Sequence, residues 1–238
     1  MAQDGIFSRS TLDDLRAATD EARQGAIGAE LSHCLAVLEA VTLIESGDAA
    51  AGSEILRATM RVTREPRLLF LAFQYFFRSG DLEVAEEATR RRLSVVPEGS
   101  ADAARAWTNL GLIAFFRREY AAAEEMHQRA CEIDRANGDW RGVARDLGNW
   151  AMIPEARQEW AVAERMYLEA LGLAERVQAK EIMATKLANL GQMAEARGKR
   201  EEAEIFTRRA LTLFKELDEV KYAAECEELL KRVASTQK

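Results

Sequence analysis

An all-α, right-handed superhelical solenoid of antiparallel helix hairpins is the fold class this sequence predicts, on three observations. Asn109, Asn149 and Asn189 stand at steps of 40 residues within similar stretches, Trp107-Thr-Asn-Leu-Gly111, Leu147-Gly-Asn-Trp-Ala151 and Leu187-Ala-Asn-Leu-Gly191. The same step carries Ala104 onto Ala144 and Ala184, Arg117 onto Arg157 and Arg197, Ala123-Glu124 onto Ala163-Glu164 and Ala203-Glu204, and Ala130 onto Ala170 and Ala210. A repeat of this length marks an array in which each unit buries its apolar face only by stacking on its neighbours. Composition is the second observation: Ala, Glu, Leu and Arg dominate, proline occurs only at 66, 97 and 154, and β-branched residues are scattered rather than alternating, all of which favours helix. Third, turn signals recur in phase with the repeat, near Arg118-Glu119, Gln158-Glu159 and Gly198-Lys199.

The elements follow in order along one quasi-linear domain. Residues 1–30 hold a tail and an N-terminal capping helix, for which Ser10-Thr-Leu-Asp13 is a capping-box-like start and Gln24 an approximate end. A first hairpin, 31–66, opens with Leu31, Leu35, Leu38, Val41 and Ile44 at helical spacing and turns at Ser46-Gly47-Asp48. Pro66 suits the first turn of the next helix, so a second hairpin spans 67–100. Its first helix, Leu68 to Phe77, is apolar on almost every side, as fits an element covered by both neighbours. Hairpins three to five occupy 101–140, 141–180 and 181–220, and 221–238 supplies a C-terminal capping helix and tail. Pro154 sits where the first helix of hairpin four should continue, where it either kinks that helix or ends it early.

Composition also narrows the function. A net charge of −7 argues against nucleic acid, whose phosphates demand a concentrated basic surface. Cys34, Cys131 and Cys226 are odd in number and nearly a hundred residues apart, giving neither a disulfide framework nor metal-ligand spacing. The expectation is a cytoplasmic protein without cofactor, metal, secretory signal or membrane insertion, since the longest apolar run is too short to span a bilayer. No phosphate-cradling glycine loop, zinc-binding HExxH, cysteine cluster or nucleophile elbow occurs. His127 takes the second-helix position filled by Tyr167 and Thr207 in sister repeats, which points to packing. No enzyme is expected.

These units resemble the tetratricopeptide repeat, whose pattern is W-x2-L-G-x2-Y in the first helix, A-x3-F and a later Ala in the second, then Pro. Trp107, Leu110, Gly111, Ala114, Ala123, His127 and Ala130 occupy those places in repeat three; Leu187, Leu190, Gly191, Ala194, Ala203, Thr207 and Ala210 do so in repeat five. Repeat four departs, with Trp150, Ala151 and Pro154 at the Leu, Gly and aromatic positions. The period exceeds the usual 34 residues and resembles the long-repeat variety of kinesin light chains and many bacterial regulatory proteins, with a longer second helix and inter-repeat link. In that family the signature residues serve packing: glycines let helices approach and the alanines fill contacts that a longer side chain would overpack.

The resemblance implies that first helices line a concave groove gripping a peptide or helix of a partner protein. Arg105 with Asn109, Arg145 with Asn149, and Thr185 with Asn189 stack at i, i+4 on that face, followed by Leu112, Met152 and Gln192. The candidate partner-binding set is therefore Arg105, Asn109, Leu112, Phe116, Arg145, Asn149, Met152, Asn189 and Gln192. Amides both donate and accept, so an Asn ladder pairs with a ligand backbone whatever its sequence; alternatively each Asn bridges neighbouring helices inside the stack. The two arginines suit an acidic ligand group. Thr108 stands where the carboxylate clamp of chaperone-tail binders carries Lys, which speaks against that ligand. Phe77 and Phe116 are candidates for the groove floor among aromatics otherwise assigned to the core. Arg117, Arg157 and Arg197 read with Glu124, Glu164 and Glu204 as hairpin salt bridges or exposed turn charges. Self-assembly through the repeat ends or through the 11–24 helix, giving a homo-oligomer, and a sensor that changes superhelical pitch on binding a small ligand or signalling peptide, remain as other uses of the same scaffold.

Overall fold

A computed structural model supplies the architecture and describes Asp13, Leu15, Ala17, Thr19, Asp20 and residues 28–235. The helices are α1 (Gly28–Ser46), α2 (Ala49–Val62), α3 (Pro66–Arg78), α4 (Leu82–Val95), α5 (Ala101–Phe116), α6 (Tyr120–Ala136), α7 (Trp140–Trp150), α8 (Met152–Ala156), α9 (Trp160–Arg176), α10 (Lys180–Ala196), α11 (Arg200–Glu216) and α12 (Val220–Ser235). No strand occurs among the described residues. Of the helix expected over 10–24, the five described residues are helical, while the Ser10 capping start and the Gln24 end lie outside the described residues. The chain divides into two compact units, 1–113 and 114–238, with the division inside α5.

In the first unit, α1 pairs with α2 and α3 with α4. Gly52 makes the first pairing tight, because a Cβ there would meet the Ala40 carbonyl at 2.6 Å. Glu65 caps α3, accepting from the Arg67 N–H at 3.2 Å, with Pro66 at the first helical position. The nearly all-apolar α3 is the centre of the core, with Leu68, Leu69, Leu71, Ala72 and Phe76 buried against Val37, Ile44, Leu56, Met60 and Ala85. Phe77 is partly buried and packs with that core, its ring 5.3 Å from Phe73, so it belongs to the interior rather than to an open floor. Arg92, only 4% exposed, lies over the Phe70 ring and pairs with Asp102 at 2.6 Å. The ion pair through one nitrogen and the aromatic face offset part of the cost of burying this guanidinium.

In the second unit the 40-residue period is visible in the joints. Arg118, Gly138, Gln158, Gln178, Gly198 and Asp218 all have left-handed backbone, with φ between 53° and 70°. After each, the next N–H closes a six-residue loop onto the preceding helix: Glu119 to the Ala114 carbonyl, Asp139 to Asp134, Glu159 to Pro154, Ala179 to Ala174, Lys199 to Ala194 and Glu219 to Phe214, at 2.8–2.9 Å. These are Schellman caps, which supply partners for orphan carbonyls. At Arg118, Gln158, Gln178 and Asp218 the cap carries the roughly 1–2 kcal/mol cost of left-handed backbone in a residue with a Cβ. The inter-repeat link is therefore as short as the hairpin turn, contrary to the longer link expected from the sequence. The extra length lies in the helices, which run to 17 residues in α6, α9, α10 and α11.

The repeated alanines do what their spacing implies: Ala123, Ala163 and Ala203, like Ala130, Ala170 and Ala210, are fully buried. Gly191 lets α10 approach α11, since a Cβ there would collide with the Thr207 hydroxyl and stand 3.3 Å from the Thr207 backbone nitrogen. Pro154, which has no N–H to offer the Trp150 carbonyl, coincides with the break between α7 and α8 at Ala151. The arginine–glutamate pairs join successive repeats instead of closing one hairpin. Arg157 holds Glu124 at 2.6 Å and Arg197 holds Glu164 at 2.5 Å, whereas Glu204 bonds Arg208 one turn away.

Candidate functional site

Two features of the second unit involve the expected groove residues. The first is a buried ionic cluster. Asp134 on α6 and Asp146 on α7 are essentially inaccessible, at 1% and 0%, and the Arg145 guanidinium bonds both, at 3.2 Å and 2.9 Å. Burial, then the neighbouring Asp146 carboxylate, raises the Asp134 carboxyl to about 7, since two adjacent carboxylates cannot both ionise cheaply out of water. Lys186 on α10 is buried beside them, and burial lowers its ammonium to about 8. Its Nζ donates to Asn149 Oδ1 at 3.3 Å. Gly142 and Gly148 make room, because a Cβ at either would overlap Asp134 or Lys186 respectively. His127 is buried close by with neither ring nitrogen bonded to protein, and burial, then the Lys186 and Arg145 charges, lower it to about 4. Cys131 is pushed up to about 12 by burial and then by Asp146. Groups sealed this far from solvent have no room for a substrate, so these shifts record packing. Arg145, about a third exposed, is ion-paired to the interior carboxylates and so is a clasp rather than a free groove cation, and Asn149 bridges helices.

The second feature is an open cleft of about 260 Å³ between α10, the end of α11 and α12. Asn189 and Gln192 line it, together with Thr185, Phe214, Tyr222 and Glu225. Tyr167 on α9 donates its hydroxyl proton to Glu155 Oε2 at 2.5 Å. Burial raises both Tyr167 and Glu155.

The other expected site residues are placed less decisively. Met152 is partly buried and packs on the core of repeats four and five. Phe116 is 55% exposed with its ring edge-on to Phe115. Arg105 is exposed and pairs with Asp102 at 3.6 Å; Asn109 is buried with its amide nitrogen unbonded, and Leu112 is half-buried. Thr108 is buried and donates to the Ala104 carbonyl. Sequence reasoning missed Asp134, Asp146, Lys186, Tyr222 and Glu225. The signal for the second and third was present, since the 40-residue step aligns Ala106, Asp146, Lys186 and Cys226, all of them buried.

Solved structures share this architecture. Aspartyl phosphate phosphatase F from Bacillus subtilis matches with a TM-score of 0.72 at 11% identity, over 88% of this chain and 57% of that one. The apo form of RapI matches with a TM-score of 0.67 at 15% identity, over 87% and 83% of the two chains. A Rap protein complexed with competence and sporulation factor matches with a TM-score of 0.66 at 15% identity, over 94% and 72%. The fold is a TPR-like helical repeat. This chain spans little more than half of phosphatase F, and identities this low speak for the TPR-like fold alone. No family profile and no curated protein matches the sequence. Among the described residues no group of three or more His, Cys, Asp and Glu side chains is placed to hold a metal, and no helix is long and apolar enough to cross a membrane.

Proposed function

We propose that this protein is a non-catalytic interaction adaptor that holds an extended peptide or helix of a partner protein along its first-helix face. One observation carries the reading: the open cleft of the second unit is lined by Asn189 and Gln192, two of the residues the repeat pattern assigns to the groove. A helical-repeat scaffold builds such surfaces from successive first helices, and a Rap protein of similar fold is seen complexed with competence and sporulation factor. The 40-residue period supports membership of the long-repeat TPR variety. Three separated, buried thiols suit a cytoplasmic setting.

Arg105, Asn109, Leu112 and Phe116 on α5 stay partner-binding candidates in their own right, while Arg145 and Asn149 act as support inside the second unit. The test is affinity capture of partners from the source cell with the wild-type chain, Asn189→Ala with Gln192→Ala, and Glu124→Ala with Arg165→Ala on second helices. Capture should be lost with the first pair and kept with the second. Loss with the second pair alone would move the interaction to the outer surface and overturn the proposal.

A further inference from the structure

The cleft between α10 and α12 presents acceptors and negative charge to whatever enters it. The Thr185 hydroxyl proton is committed to the Glu181 carbonyl at 2.8 Å, leaving its oxygen lone pair for a ligand. Asn189 lines the cleft as well, and its amide oxygen is an acceptor. Glu219 and Glu225 are exposed carboxylates on the α12 side. Glu181 lines the same cleft, its charge balanced by Arg141 at 3.0 Å. No Lys, Arg or His is among the lining residues. The apolar wall is the stacked pair Phe214 and Tyr222, with ring centroids 5.3 Å apart, and Tyr222 is 42% exposed.

We infer that this cleft is a subsite for an arginine side chain of the partner segment. A guanidinium offers five donors and no acceptor, keeps its charge at any physiological pH, and stacks on aromatic faces because it is weakly hydrated. Its donors answer Asn189, Thr185 and the two carboxylates, and its aliphatic stem lies against Phe214 and Tyr222. At about 260 Å³ the cleft is smaller than the roughly 300–1,000 Å³ of a small-molecule pocket, so it fits one side chain rather than a whole ligand. An acidic partner group, which Arg105 and Arg145 suggest from the sequence, is repelled here. This subsite rests on the adaptor reading and names the chemistry of what that adaptor holds.

The test is a nuclear magnetic resonance titration of the full chain with capped Ala-Arg-Ala tripeptide at millimolar concentration. The same peptide carrying citrulline, neutral and of the same shape, is the comparison. Saturable shifts should centre on the amides of Ala188, Asn189, Gln192, Tyr222 and Glu225. Citrulline, or Glu219→Gln with Glu225→Gln, should weaken binding by about fivefold or more, the difference between charge-assisted and neutral hydrogen bonds. Equal binding of the two peptides, or undiminished binding by the variant, overturns the subsite. So does sedimentation showing a dimer that the same variant dissolves, since the occupant is then a second copy. If the tripeptide fails while Asn189→Ala with Gln192→Ala still abolishes partner capture, the subsite is wrong and the adaptor stands. If the tripeptide binds and those groove variants leave capture intact, the adaptor reading is the one that fails.

Discussion

Replacing His127 with Phe should stabilise the protein and remove one component of its pH dependence. The His127 ring is fully buried with Nδ1 and Nε2 both without a protein partner, and an unsatisfied buried polar group costs about 1–3 kcal/mol. Phe is close in shape, and the equivalent position in the next repeat already accepts the buried ring of Tyr167. Allowing roughly 1 kcal/mol for repacking, the variant should gain up to about 2 kcal/mol at neutral pH. Acidification widens the gap. The folded imidazole titrates at about 4 against an ordinary 6.5, so between those values the unfolded chain binds a proton that the native state refuses. Native stability therefore falls as pH drops through that window, by about 3 kcal/mol in all at roughly 1.4 kcal/mol per pH unit. Phe has no such term.

Asp134 acts with the opposite sign. Its carboxyl is raised from 3.8 to about 7, so its stabilising contribution is complete below the lower value and is lost as pH rises through the upper one. The wild-type profile alone is therefore shallow, and the comparison of wild type with variant isolates the histidine. Urea denaturation followed by circular dichroism, at about pH 7 and again near pH 4, measures both gaps. A variant less stable than wild type at neutral pH, or a gap that does not grow on acidification, refutes the packing argument.

Two further variant pairs probe burial and close approach in the same way. Arg145→Ala should cost roughly 2–3 kcal/mol by leaving Asp134 and Asp146 without their cation, toward the low end for a buried pair because the guanidinium is about a third exposed. Arg105→Ala, on an exposed side chain, should stay within about 0.5 kcal/mol; equal effects in denaturant melts would show that the interior cluster does not depend on Arg145. Gly191→Ala should lower stability by about 1–3 kcal/mol through the clash with Thr207. Gly172→Ala, a mid-helix glycine whose added methyl meets nothing within 4 Å, should raise it by about 0.5–1 kcal/mol. Thermal melts showing the same sign for both glycines would contradict the close approach of α10 and α11.

The hairpins were legible because their period is carried by small residues with only one use. Ala123, Ala163 and Ala203 are fully buried, and the turns at 118, 158 and 198 lie where the repeat puts them. Two of those turns lack glycine, so a turn reading based on residue type alone would miss them; the period finds them. The link length was misjudged because helix length and turn length trade within a fixed period, and only the caps at 138, 178 and 218 separate the two. Two lining residues of the cleft were legible in the repeat pattern. Asn189 and Gln192 do face a cleft, but Arg145 and Asn149 share their helical face and are used inside the stack. Helical spacing places a side chain on a face without saying which neighbour reaches it first. Lys186 reaches Asn149, and that contact depends on the missing Cβ of Gly148, a residue that by itself signals nothing.

The six joints of the second unit share one geometry whatever residue occupies them, so backbone connection does not distinguish one repeat from the next. By joint alone, repeats four and five could be exchanged, or one removed. The ionic cluster forbids it. Asp134 ends repeat three, Arg145 and Asp146 belong to repeat four, and Lys186 belongs to repeat five, with its cradle cut into repeat four at Gly148. These three modules are keyed to one order by charge, as numbered stones are set in an arch whose mortar lines are all alike.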